Sequence, residues 1–132
     1  MKKIFTNGCF DVLHRGHLEL FKHAKSLGDV LIIGVDSDEK IKLDKGPDRP
    51  YNRLEDRVEM LKSLKFIDEV YDFGSTRGLE LLIKKTAPDI LIIGSDWRGK
   101  KVVGQQYAKE VRFFQRINGY STTNILQNIT NR

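Results

Sequence analysis

Residues Gly8-Cys9-Phe10-Asp11-Val12-Leu13-His14-Arg15-Gly16-His17 set two histidines three positions apart among glycines. Even a neutral imidazole donates one N–H, so the pair suits the oxygens of a polyphosphate. Gly8 lets a ligand approach the backbone closely, and Gly16 permits a tight entry into whatever follows. Cys9, His14 and His17 also have zinc-ligand chemistry, but a zinc site needs three or four convergent ligands, and the chain offers neither a C-x-x-C nor a second His/Cys cluster. Asp11 has the chemistry of a turn cap. Phe10, Val12 and Leu13 suit packing, and His23 suits a helix surface.

The elements around this motif place it at a strand-to-helix turn. Lys3 to Asn7 reads as a short extended run, and Leu18, Leu20, Phe21 and Ala24 form the apolar stripe of a helix ending near Leu27-Gly28. Turns at the carboxyl ends of parallel strands border the crevice where open α/β sheets bind ligands, and a helix start offers unpaired N–H groups to anions. Farther on, Asp29 to Asp36 is almost continuously apolar and reads as a buried strand. A helix from about Arg53 to Leu64, a weaker strand from Glu69 to Phe73, a helix marked by Leu79, Leu82 and Ile83, and a buried strand Ile90 to Gly94 follow. This alternation predicts a Rossmann-like three-layer α/β/α sandwich with a mainly parallel central sheet.

With 132 residues there is chain for one hydrophobic core, so a single domain over residues 1–132 is expected. There is no long apolar stretch, signal-peptide pattern, repeat or low-complexity segment, and one cysteine cannot form an internal disulfide. These features predict a cytoplasmic protein without a membrane partner. A formal charge of +5 favours anionic partners. No aromatic-interleaved basic run argues for nucleic acid, although a noncatalytic nucleotide- or nucleic-acid-binding module is the alternative class. Neither a G-x-x-x-x-G-K-[ST] loop nor a G-x-G-x-x-G after the first strand is present. A kinase or dehydrogenase reading lacks its main warrant, and phosphate binding falls to the histidine turn.

Three further clusters carry suitable chemistry. Lys42 to Arg57 reads as a long basic connection broken by Gly46, Pro47 and Pro50, with Lys45, Arg49 and Arg57 as candidate triphosphate cations. Gly94-Ser95-Asp96-Trp97 follows a strand end, where Asp96 can accept from a nucleobase amino group or ribose hydroxyl and Trp97 can pack beside either. In Arg116 to Thr123, Ser121 and Thr122 have helix-cap chemistry ahead of the stripe Ile125, Leu126 and Ile129, and a helix start there makes a second anion site.

The wording G-x-F-D-x-x-H-x-G-H resembles the signature of the cytidylyltransferase-like nucleotidyltransferases. The segment Arg116 to Thr123 resembles that family's R-x-x-G-x-S-T-T motif, with Asn118 where an acidic residue is more usual. The resemblance runs from Lys3 to about Ile129. It implies a nucleotidyltransferase that moves a nucleotidyl group from a nucleoside triphosphate to a small phosphorylated acceptor and releases pyrophosphate. His14, His17, Lys45 and Arg116 are then the expected catalytic groups. Expected nucleotide contacts are Asn7, Gly8, Cys9, Phe10, Asp11 and Gly16 on the first turn, Arg49 and Arg57 on the basic connection, and Gly94, Asp96 and Trp97 after the fourth strand. Gly119, Tyr120, Ser121 and Thr122 complete them. Magnesium is expected to ride mainly on the nucleotide phosphates, with Asp11 as an outer-sphere partner and no direct protein ligand. A homodimer is carried over from relatives.

The base and the acceptor are drawn in two directions. Arg116 and G-[DS]-D-W-x-G-K are similar to glycerol-3-phosphate cytidylyltransferases and favour CTP with a glycerol 3-phosphate-like polyol. The pattern K-G-x-x-R-P-x-N-x-x-E-x-R, from Lys45 to Arg57, resembles heptose-phosphate adenylyltransferases and favours ATP with a heptose 1-phosphate, as does Val102-Val103-Gly104. The expectation favours CTP, with ATP as the alternative and a FAD-synthetase-like activity as a smaller one.

Overall fold

The computed structural model describes residues 1–115 together with Ile125, Leu126 and Ile129. Five strands form one sheet in the order β3-β2-β1-β4-β5, and every pairing is parallel. They are β1 (Lys3–Gly8), β2 (Val30–Asp36), β3 (Glu69–Phe73), β4 (Ile90–Gly94) and β5 (Glu110–Phe114). The helices are α1 (Arg15–Ser26), α2 (Asp38–Lys45), α3 (Leu54–Lys62) and α4 (Thr76–Thr86). This is the predicted Rossmann-like α/β architecture, with β5 as an additional strand.

Alternation along the strands builds two cores. Ile4, Leu31, Ile33, Val35, Ile90 and Ile92 face Phe21 and Ala24 of α1 and Leu61 of α3. Their neighbours Phe5, Ile32 and Leu91 point to the other face, against Leu79 and Ile83 of α4 and Val102. Because both faces are covered, β2 and β4 need apolar residues at consecutive positions, which explains their unbroken runs. Gly104 sits under this second core at φ +79°, and a Cβ there would lie 2.6 Å from Ile83 Cδ1. A side chain at position 104 would meet both backbone strain and overlap.

Helix α2 was not expected: residues 42–45, read as loop, are its last turn. Only Ile41 of this helix is buried, so it lacks the apolar stripe that reveals a helix. Its ends carry the signal instead. Ser37 accepts from the Lys40 N–H as N-cap, Asp38 and Glu39 occupy the first turn, Lys42 and Lys45 the last, and Gly46 terminates it at φ +106°. Strand β5 was also missed, because Glu110 to Phe114 is short and only half-buried at the sheet edge.

The chain runs from β1 outward through β2 to β3, then returns across the sheet to place β4 on the other side of β1. The reversal creates a crevice at the carboxyl ends of β1 and β4. Buried Thr6 ties the two strands there, donating to Ile92 O at 2.9 Å. No helix among the described residues is long and apolar enough to cross a membrane.

Candidate active site

The crevice holds a cavity of about 530 Å³, a size suited to a small-molecule ligand. At its centre, the H-x-G-H segment builds the start of α1 from imidazoles instead of the usual Ser, Thr, Asp or Asn. His14 is the N-cap, and its Nδ1 accepts from Gly16 N at 3.0 Å. The N–H of His14 in turn donates to His17 Nδ1 at 3.3 Å. The rings stack with centroids 3.8 Å apart. Because backbone N–H groups occupy both Nδ1 atoms, each neutral ring carries its hydrogen on Nε2. The caps therefore orient both histidines and set their tautomers.

Phe10 supports this arrangement from below. It takes φ 48° and packs edge-on against His17 and Phe21, at centroid distances of 5.3 and 5.2 Å. Gly8 is small for a related reason, since a Cβ there would lie 3.0 Å from the Phe10 ring. Asn7, Gly8, Cys9, Phe10, Asp11, His14, Gly16 and His17 all line the cavity, so the first motif is assembled as expected.

The loop of residues 46–53 is latched to that motif through Asp11. One oxygen of this buried carboxylate accepts from Tyr51 N at 2.8 Å and Arg49 Nε at 3.2 Å, while the other accepts from Asn52 N at 2.8 Å. The side chain of Asn52 completes the latch by donating to Asp11 O. Both oxygens of Asp11 are thus engaged in holding the loop. The latch brings Arg49 to the cavity wall with Nη2 buried and unpaired. A buried donor without a partner is costly, and an anionic ligand would satisfy it.

Arg57 does not reach the cavity, contrary to expectation. Its side chain is fully buried behind the site. The guanidinium donates to Cys9 O at 2.9 Å, Asp36 O at 2.8 Å, Asn52 O at 3.0 Å and the Asp38 carboxylate at 2.6 Å. One side chain thus joins the turn after β1, the end of β2, the loop and the start of α2. Its position near the head of α3 resembled a reach into the site, but α3 points the guanidinium inward.

Lys45 is exposed on α2 and lines the cavity near Cys9. Gly94, Asp96 and Trp97 line the opposite flank, where the sequence gives way to a 3-10 turn over Ser95–Trp97. Trp97 is 44% exposed, which leaves much of the ring available at the rim. Arg116, Gly119, Tyr120, Ser121 and Thr122 lie outside the described residues. Sequence reasoning did not single out Asp36, Lys40, Asp44, Phe73, Thr76 or Phe114, which also line the cavity. Asp36 and Phe73 end strands, a position that signals the crevice. Lys40 and Asp44 needed α2 to be recognised first.

Burial and the adjacent Asp36 carboxylate push the Cys9 thiol above its ordinary value of 9.0, with Lys45 opposing them. Its Sγ lies 3.5 Å from Asp36 Oδ2 and donates to it. Cys9 alkylation is consequently predicted to stay slow at neutral pH and to accelerate only above the range of an ordinary thiol, faster in Asp36→Asn. Iodoacetamide rates measured against pH check this; a midpoint at or below 9.0 would contradict it. Because the folded pKa is the higher one, the associated stability is present below the unfolded value. It is lost as pH rises through the folded value.

A switch-point crevice lined by two oriented imidazoles, a lysine and a guanidinium with one unpaired buried nitrogen has the chemistry to take an anionic ligand. Comparison with known proteins defines its class: the chain belongs to the cytidylyltransferase-like family, whose model matches residues 5–128, and is a nucleotidyltransferase. It is 48% identical over 128 residues to bifunctional protein HldE of Helicobacter hepaticus, covering 97% of this chain and 26% of that protein. The HldE of Nitratiruptor sp. is 51% identical over 124 residues, covering 94% of this chain and 27% of the relative. The chain thus spans about a quarter of the length of these relatives. Its fold matches that of a lipopolysaccharide core biosynthesis protein from Thermoplasma volcanium with a TM-score of 0.69 at 23% identity, covering 89% of this chain and 99% of that one.

Proposed function

We propose that this protein transfers AMP from ATP to the phosphate of a heptose 1-phosphate or related sugar phosphate, releasing pyrophosphate. The observation that carries this reading is the Lys45-to-Arg57 segment, whose wording resembles heptose-phosphate adenylyltransferases and whose Arg49, with an unpaired buried donor, lines the cavity. The 48% and 51% identity to bifunctional HldE proteins, over nearly all of this chain, favours it over CMP transfer to glycerol 3-phosphate.

In this mechanism an oxygen of the acceptor phosphate attacks the α-phosphorus in line. A new P–O bond forms, the bond to the β-phosphate oxygen breaks, and pyrophosphate departs with the electron pair. The acceptor phosphate is already anionic near neutral pH, so no serine or cysteine nucleophile is required. Positioning and charge stabilisation carry the catalysis. His14 and His17 donate from Nε2 to the phosphates at the reacting centre. Lys45, Arg49 and Arg116 neutralise the triphosphate and leaving group, and Ser121 and Thr122 hold the outer phosphates. Asp96 and Trp97 receive the base and ribose.

No group of three or more acidic, histidine or cysteine residues among those described could hold a metal ion. Magnesium fits this site as a companion of the nucleotide phosphates, where it would supply further charge neutralisation. The test is magnesium-dependent pyrophosphate release from ATP and CTP in parallel, each with heptose 1-phosphate and glycerol 3-phosphate. Turnover with ATP and heptose 1-phosphate is expected, and turnover confined to CTP would overturn the reading.

A further inference from the structure

The cavity crosses the carboxyl ends of all five strands, and its chemistry changes along the way. The cations and imidazoles occupy the centre, the place for phosphates. Toward β4 and β5 lie Asp96, Trp97 and Phe114, whose rings suit a nucleobase. Toward β2 and β3 the wall is instead formed by Asp36, Lys40 and Asp44, with Phe73 and Thr76 beside them. Carboxylates repel phosphates and accept from hydroxyls.

These side chains are held in place. Lys40 Nζ lies 2.7 Å from Asp44 Oδ2 and 3.7 Å from Asp36 Oδ2, and 5.9 Å from the centroid of the Phe73 ring. Burial pulls the Lys40 pKa down, but the Asp44 hydrogen bond and the Asp36 and Asp44 charges outweigh it, so the ammonium is retained. Asp36 is only 8% exposed, and its Oδ2 already receives Cys9. Among the described residues no hydrogen bond reaches Asp36 Oδ1. This leaves a largely buried acceptor with unused capacity on the cavity wall.

We propose that Asp36 and Asp44, spaced by Lys40, form the subsite that reads the hydroxyls of a phosphorylated sugar acceptor. The Lys40 ammonium lies between the two carboxylates, so all three polar heads are within reach of one ligand. Three polar heads so grouped can engage the run of hydroxyls on a sugar more fully than the two hydroxyls of glycerol 3-phosphate. The subsite rests on the sugar-phosphate half of the proposed function and not on which nucleotide is used.

Calorimetry on the full chain tests it, using heptose 1-phosphate, glycerol 3-phosphate and inorganic phosphate as ligands and ATP binding as a check on the fold. The wild-type protein is expected to bind heptose 1-phosphate most tightly. Asp44→Asn, at a half-exposed position, should weaken heptose 1-phosphate about tenfold while changing inorganic phosphate and ATP less than about twofold. Asp36→Asn should act in the same direction. Unchanged heptose 1-phosphate affinity in Asp44→Asn, equal weakening of inorganic phosphate, or no heptose 1-phosphate binding by the wild type would each overturn the subsite. Sugar-phosphate binding with transfer confined to CTP would leave the subsite standing and overturn the adenylyl reading alone.

Discussion

His17→Ala is expected to lower kcat by about 10²- to 10³-fold, the usual effect of removing one donor aimed at charge that develops in the transition state. The geometry makes the loss twofold in kind. The variant loses the Nε2 donor, and it also loses the Nδ1 acceptor and stacked ring that orient His14. The fold should survive, because the His14 side chain still caps Gly16 N and loss of one capping partner costs about 1 kcal/mol. Single-turnover AMP transfer, measured beside thermal unfolding, separates the two effects. A kcat within about threefold of wild type would remove His17 from the reacting centre.

Arg57→Met tests the opposite kind of residue. Methionine keeps much of the packed volume but leaves the carbonyls of Cys9 and Asp36 without the donor they now share. Each buried acceptor so orphaned costs about 1–3 kcal/mol, so a loss near 3 kcal/mol in urea unfolding is expected. For a chain of this size the Tm should fall by roughly 10 °C. The Asp38 carboxylate is 27% exposed and can recover water, which keeps the loss from being larger. A change below about 1 kcal/mol would mean that the guanidinium does not pin these segments together. If Arg57 instead contacted the triphosphate, the variant would keep its stability and lose nucleotide affinity.

These variants mark how far residue order alone carried the reading. The histidine motif was legible because its chemistry is local: a glycine-bearing strand end, two imidazoles and a helix start all lie within residues 8–17. The buried strands were equally legible, since covering both faces of a parallel sheet demands unbroken apolar runs such as Val30 to Val35. Helix α2 was hidden by a single buried residue, and its caps were the signal left to find. Arg57 was misplaced because a basic residue beside a basic loop reads as a ligand cation, whereas burial against four acceptors is a matter of three-dimensional position.

By itself the sequence determined the alternating α/β architecture and the histidine turn, because both depend on short-range periodicity and motif spacing, and the class of chemistry came from the family resemblance those motifs carry. The tertiary structure decided the rest. Only the folded sheet sets β4 beside β1 and opens the crevice. Only the closed loop shows that Asp11 serves as its latch, that Arg49 faces the cavity and Arg57 the interior, and that Asp36, Lys40 and Asp44 share one wall. Burial and partner choice depend on contacts between residues far apart in the chain, and no local pattern encodes which of several like charges will be shielded from water.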